Sequence, residues 1–171
     1  VLDAVEASDG WATSVRESKP PMTILGSLDG VEAGLRQLRR SKPLETTQFE
    51  IDADTRVIVP TVEEMLRVKA YLVVQRNYVR DYLNVVGLAD VVGTEQAVSV
   101  LRQIDDHYTD RSEESGSVLT DLVTHLADPR PRDTDVIDEL PEYTGLDPQW
   151  HEWSTVVSRC QALSLALAGA Q

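Results

Sequence analysis

Several things are scarce in this 171-residue chain. It has one cysteine, Cys160, one phenylalanine, Phe49, and no uninterrupted apolar run approaching the length of a bilayer-spanning helix. A lone cysteine excludes an internal disulfide and any zinc site built from several thiolates, which leaves a reducing cytoplasm as the simplest compartment. The missing apolar run excludes a transmembrane helix. The opening Val1-Leu2-Asp3-Ala4-Val5-Glu6 lacks the basic segment followed by an apolar one that marks a secretion signal. There is no Walker loop, dinucleotide fingerprint or nucleophile elbow. His107, His125 and His151 are too far apart in sequence to suggest zinc ligands or a histidine base, so no metal ligands are assigned.

Basic charge is scarce as well, with 16 Lys/Arg against 29 Asp/Glu and a net charge of −13. The imbalance is uneven: residues 1–80 carry 11 Lys/Arg and 12 Asp/Glu, residues 81–171 carry 5 and 17. Overall acidity disfavours nucleic acid. In the first half, however, Arg36, Arg39, Arg40 and Lys42 form a local basic patch that could hold RNA phosphates or be a solvated surface.

Turn and cap residues divide the chain. A short helix over residues 2–8 stops at Asp9-Gly10, and Pro20-Pro21 enforces an extended segment. A buried strand is expected over residues 22–25, ending in the turn Gly26-Ser27-Leu28-Asp29-Gly30, after which residues 31–40 are open between helix and strand because Gly34 weakens either. Residues 46–51 and 56–59 read as a hairpin joined by Asp52-Ala53-Asp54-Thr55. Thr61 followed by Glu64 is a capping box that starts a helix, which Asn77 breaks before a second helix at about Arg80. Further helices are expected with Ala97, Leu101, Ile104 and Tyr108 inward, then from Ser112 with Leu119, Leu122, Val123 and Leu126 inward. After the stiff loop 128–133, a last helix starts at Asp147-Pro148 and places Trp153, Val156, Val157, Cys160, Leu163 and Leu167 in the core. The fold class is therefore α+β, mixed to about residue 60 and helical after it.

The helix after Pro60 carries an anomaly. Leu72, Lys69, Val62, Val73 and Leu66 fall within one arc of about 120°, with Arg76 and Arg80 inside it if the helix continues. Cations on an inward stripe need anions, either carboxylates of the chain or a bound ligand such as phosphate.

The segment Pro60-Thr61-Val62-Glu63-Glu64-Met65-Leu66-Arg67-Val68-Lys69, continuing to Arg76-Asn77-Tyr78-Val79-Arg80-Asp81-Tyr82-Leu83-Asn84, resembles AbiEii-type nucleotidyltransferase toxins, including the mycobacterial MenT group. Residues 25–45 and the helix over 150–160 look like the same family. The resemblance implies an incomplete nucleotidyltransferase-like core over residues 1–92 and a helical lobe over 93–171. It also implies Mg2+-dependent transfer of a nucleotide from an NTP to RNA, with tRNA as target and an antitoxin protein as partner. On that reading Lys69 and Asp81 are catalytic, Lys69, Arg76 and Arg80 bind nucleotide, and Arg36, Arg39, Arg40 and Lys42 bind RNA. The family's Gly-Ser turn and metal-binding Asp-x-Asp pair are not in this chain, where Gly26-Ser27 is followed by Leu28-Asp29-Gly30 and Asp52-Ala53-Asp54 falls in a hairpin turn. Asn84 stands where the pattern has aspartate. The expectation is a chain that transfers nothing alone; the alternative is a noncatalytic interaction module that binds a partner through its acidic helical half.

Overall fold

A computed structural model describes residues 2–20, 22–37, 39–109 and 116–169. They form two compact units, Val1–Arg39 and Arg40–Gln171. The architecture is α+β, two small antiparallel sheets followed by helices.

The first unit holds helix α1 (Leu2–Glu6) and a three-stranded sheet of β1 (Trp11–Thr13), β2 (Thr23–Leu28) and β3 (Val31–Arg36), in that order. Residues 26–28 continue strand β2, pairing Gly26 with Ala33 and Leu28 with Val31. The turn is confined to Asp29 and Gly30, whose φ values of 50° and 81° suit the two-residue hairpin loop that matches strand twist. Gly26 is required for a different reason: a Cβ there would lie 2.3 Å from the Ala12 carbonyl oxygen, where β1 runs beside β2. Gly34 sits inside β3, which settles residues 31–36 as strand.

The second unit opens with the hairpin of β4 (Thr46–Glu50) and β5 (Arg56–Pro60), paired Thr46 to Pro60 through Glu50 to Arg56. Asp52 closes its turn by accepting from the Asp54 and Thr55 amides at 3.0 and 2.9 Å. These bonds hold its carboxyl below the ordinary value. Helices α2 (Val62–Arg76), α3 (Val79–Val92), α4 (Thr94–Leu101), α5 (Ile104–His107), α6 (Val118–Ala127) and α7 (Trp153–Gly169) follow, with 3-10 segments at Thr134–Glu142 and Pro148–Trp150. Ser112 lies outside the described residues; α6 is capped by Ser117, whose hydroxyl accepts from the Thr120 amide. Asp147 caps the 3-10 turn rather than the last helix, which starts at Trp153.

The core of this unit lies between α2, α3, α4, α6 and α7, with Leu66, Val73, Tyr82, Val85, Leu101, Leu122, Leu126, Val156 and Cys160 fully buried. Burial pushes the Cys160 thiol up to about 12, so it is an inert packing group. The hydroxyl of Ser164 donates to the Val123 carbonyl at 2.9 Å, a small residue that lets α7 approach α6 closely. Asn77 ends α2 in the left-handed region, φ 58° and ψ 54°. It also holds the 128–133 loop, since its side-chain amide donates to the Arg130 carbonyl and its carbonyl accepts from the Arg132 amide, each at 2.8 Å.

Candidate functional site

The first turn of α2 builds the most unusual chemistry among the described residues. Thr61 caps the helix by accepting from the Glu64 amide at 3.1 Å. In a complete capping box the Glu64 carboxylate would return to the Thr61 amide, but that amide donates to the Glu45 carbonyl at 3.0 Å. The Glu64 carboxylate is thereby released, and although fully buried it takes two guanidinium groups. Arg67, one turn on, donates to it at 2.6 Å and lies 3.1 Å from Glu45; Arg40 pairs with its other oxygen. Burial alone would push the Glu64 carboxyl up, but Arg40 and Arg67 outweigh it and hold the group below its ordinary value.

Arg40 reaches further than one partner. Its Nε donates to the Lys42 carbonyl at 2.6 Å, and one terminal nitrogen lies 2.8 Å from His107 Nδ1. A guanidinium only donates, so Nδ1 accepts and the imidazole is neutral with its proton on Nε2. Burial, then the cations Arg67, Arg40 and Lys42, lower the His107 pKa in the same sense. Around these groups Tyr71 and Tyr108 stack with ring centroids 3.8 Å apart, and the Arg40 guanidinium lies 5.7 Å from the Tyr108 ring centre. The buried Glu64 and the half-exposed Glu45 together balance Arg40 and Arg67, which is the condition for burying those arginines. Residues 41 and 42 complete the attachment: the Ser41 amide donates to the His107 carbonyl at 2.8 Å, and Lys42 lies 3.3 Å from Asp106. The segment 40–45 is thus strapped to α2 and to the 106–109 segment.

The residues singled out by sequence are distributed otherwise. Lys69 is half-buried and has no ion pair or hydrogen bond among the described residues. Arg76 pairs with the fully buried Asp81 through two bonds of 3.2 and 2.5 Å, while Arg80 is exposed. Asn84 donates to the Arg80 carbonyl at 2.6 Å. The inward stripe of three cations is therefore absent. Helix α2 buries Glu64, Leu66, Arg67, Ala70 and Val73, a face turned by roughly a quarter of a revolution from the one its periodicity suggests. The physical reason is that apolar and charged residues are mixed all the way round α2, so its own pattern defines no strong side. The basic patch is likewise dispersed: Arg36 and Arg39 are exposed, Arg40 is turned inward, and Lys42 is paired.

The sequence reading took Glu64 only as a cap residue, gave Arg67 no role, and dismissed His107 as a zinc ligand or base without foreseeing a structural one. The available signal was the pair Glu64 and Arg67 three residues apart, a spacing that lets them meet on a helix. No group of His, Cys, Asp and Glu among the described residues is arranged to hold a metal ion. The clefts are open: one of about 480 Å³ is lined by Arg102, Leu119, Val123 and Leu167, and another of about 670 Å³ lies on the first sheet around Gly26 and Gly34. Neither contains Lys69, Arg76, Arg80 or Asp81.

Comparison with known proteins corrects the family expected from sequence. No family model matches the chain, and no solved structure matches it. It is 36% identical over 129 residues to the heme uptake protein MmpL11 of Mycobacterium tuberculosis, a span that covers 75% of this chain and 13% of that protein. It is 32% identical over 130 residues to the mycolic acid-containing lipids exporter MmpL11 of Mycolicibacterium smegmatis, covering 76% and 13%, and to the probable transport protein MmpL11 of Mycobacterium leprae, covering 75% and 12%. These relatives overturn the likeness to AbiEii-type toxins, and with it the nucleotidyltransferase and toxin–antitoxin function. They give no support to the alternative of a partner-binding remnant acting through the acidic helices. What the chain resembles is a stretch of about 13% of the length of mycobacterial MmpL11 transport proteins.

Proposed function

We propose that this chain is an extramembrane segment of a membrane transport protein of the MmpL11 kind, folded on the cytoplasmic side, and that it serves the transport of heme or of mycolic-acid-containing lipid. The carrying observation is the 36% identity over 129 residues to a protein of that name. No described helix is long and apolar enough to cross a membrane, which supports the extramembrane reading. The free, buried Cys160 is at ease in a reducing compartment. The balanced cluster around Glu64 supports the same reading, because it fixes the strap 40–45 to the helices and makes a firm body rather than a reactive cleft.

The test is replacement. In cells lacking the M. smegmatis exporter, a chimera carrying this chain in place of the resembling stretch is expected to restore export of mycolic-acid-containing lipid. A chimera that inserts at normal abundance but exports nothing would sink the reading. A fluorescent protein fused at the segment is expected to glow and a phosphatase fused at the same place to stay inactive; the reverse pattern would overturn the cytoplasmic assignment.

A further inference from the structure

The hairpin β4–β5 is a two-stranded ribbon, a form that is marginal in water unless something covers it. All of β4 and the first three residues of β5 are exposed. Strand alternation places Thr47, Phe49 and Ile51 with Val57 and Val59 on one face, as the pairs Phe49 to Val57 and Thr47 to Val59 require. Phe49 is 59% exposed, Ile51 60% and Val57 36%. The opposite face carries Gln48, Glu50, Arg56 and Ile58. Thus the chain's one phenylalanine sits in solvent at the centre of a continuous apolar strip, a feature that marks contact surfaces.

The charges around the strip select its occupant. At the hairpin end Glu50, Asp52 and Asp54 outnumber Arg56, which lies 3.6 Å from Glu50. An anionic leaflet would repel that end. A second copy would bring another net charge of −13 toward the first. The cytoplasmic loops and helix ends of membrane proteins, by contrast, carry an excess of Lys and Arg. Resting on the reading above, that this chain belongs to a transport protein of which it spans about 13%, we infer that the apolar face of β4–β5 docks on the basic cytoplasmic rim of that same protein's membrane part. The strip supplies burial, and the acidic end supplies register against lysines and arginines.

The experiment uses the full-length chimera in membranes, with a benzophenone photo-crosslinking residue in place of Phe49 or, as the opposite-face control, Ile58. Position 49 is expected to crosslink within the same polypeptide to a Lys/Arg-containing cytoplasmic loop, and position 58 is not. Phe49→Glu is expected to lower export about tenfold at unchanged abundance, as for a central anchor residue, while Ile58→Ser leaves export unchanged. Crosslinks from position 49 to a second copy, to lipid, or to nothing would each overturn the inference, as would full export by Phe49→Glu. An inserted chimera that crosslinks at 49 but does not export defeats the functional reading and leaves the docking standing; an exporting chimera without the crosslink does the opposite.

Discussion

Hairpin β4–β5 leaves Phe49, Ile51, Val57 and Ile58 in the open, whereas α2, which follows it directly, keeps Glu64 and Arg67 out of water. The two regions invert the ordinary assignment of apolar residues to the inside and charges to the outside. In α2 the inversion is tolerable because each buried charge has an opposite partner at hydrogen-bond distance and helices on several sides supply the remaining contacts. In the hairpin nothing of the kind is at hand: two strands present two faces and have no second layer. Whether a residue is buried thus depends on how many layers meet at its position as much as on its own polarity.

This contrast can be broken most forcefully at Glu64. Glu64→Ala leaves Arg40 without a carboxylate and Arg67 with only the half-exposed Glu45, and is expected to destabilise the chain by about 3–5 kcal/mol, read from urea unfolding. A loss below about 1 kcal/mol would mean that water already reaches the cluster. Asp81→Ala comes next. It orphans Arg76, but that side chain is 21% exposed and can turn to solvent, so about 1–3 kcal/mol is expected.

Acid sharpens the comparison without a mutation. The depressed His107 pKa means that the unfolded chain binds a proton more readily there, so this contribution is fully present above pH 6.5 and is lost as pH falls through the folded value. Glu64, depressed from 4.5, adds a second loss that begins only below that pH. Melting temperature is expected to fall in two stages between neutral and acid pH, and His107→Gln is expected to flatten the first stage while sparing the second. At the small end, Phe49→Ser in the isolated chain is expected to change stability by less than about 0.5 kcal/mol in thermal melts, as for a solvent-facing residue. A large loss would show that the hairpin face is already covered within this chain.

Legibility in the sequence followed the range of the interaction. The hairpin over residues 46–60, the cap at Thr61 and the break at Asn77 were readable because each depends on residues within a few positions: Thr61 on the Glu64 amide, Asn77 on its own left-handed backbone. The turn at Asp29-Gly30 was read too wide, since Gly26 and Ser27 look like turn residues until β1 is laid beside them and Gly26 proves to be a point of close approach. Of the candidate site, Lys69, Arg76 and Arg80 were chosen by helical phase, and the phase of a helix with apolar and charged residues mixed on every side is a weak guide to its facing. The likeness to nucleotidyltransferase toxins rested chiefly on that same stretch, with residues 25–45 and 150–160 beside it, and did not survive comparison with whole sequences.

By itself, then, the sequence determined that the chain is α+β and where the β4–β5 hairpin, the Thr61 cap and the Asn77 break fall, because such caps, turns and breaks are settled by atoms a few residues apart. Only the tertiary structure decided which side of α2 faces inward and that Arg40 leaves the surface to meet Glu64, 24 residues away, and His107, 67 residues away. A buried charge is stable only where its partners converge, and that convergence is a property of the packed chain that no local pattern encodes.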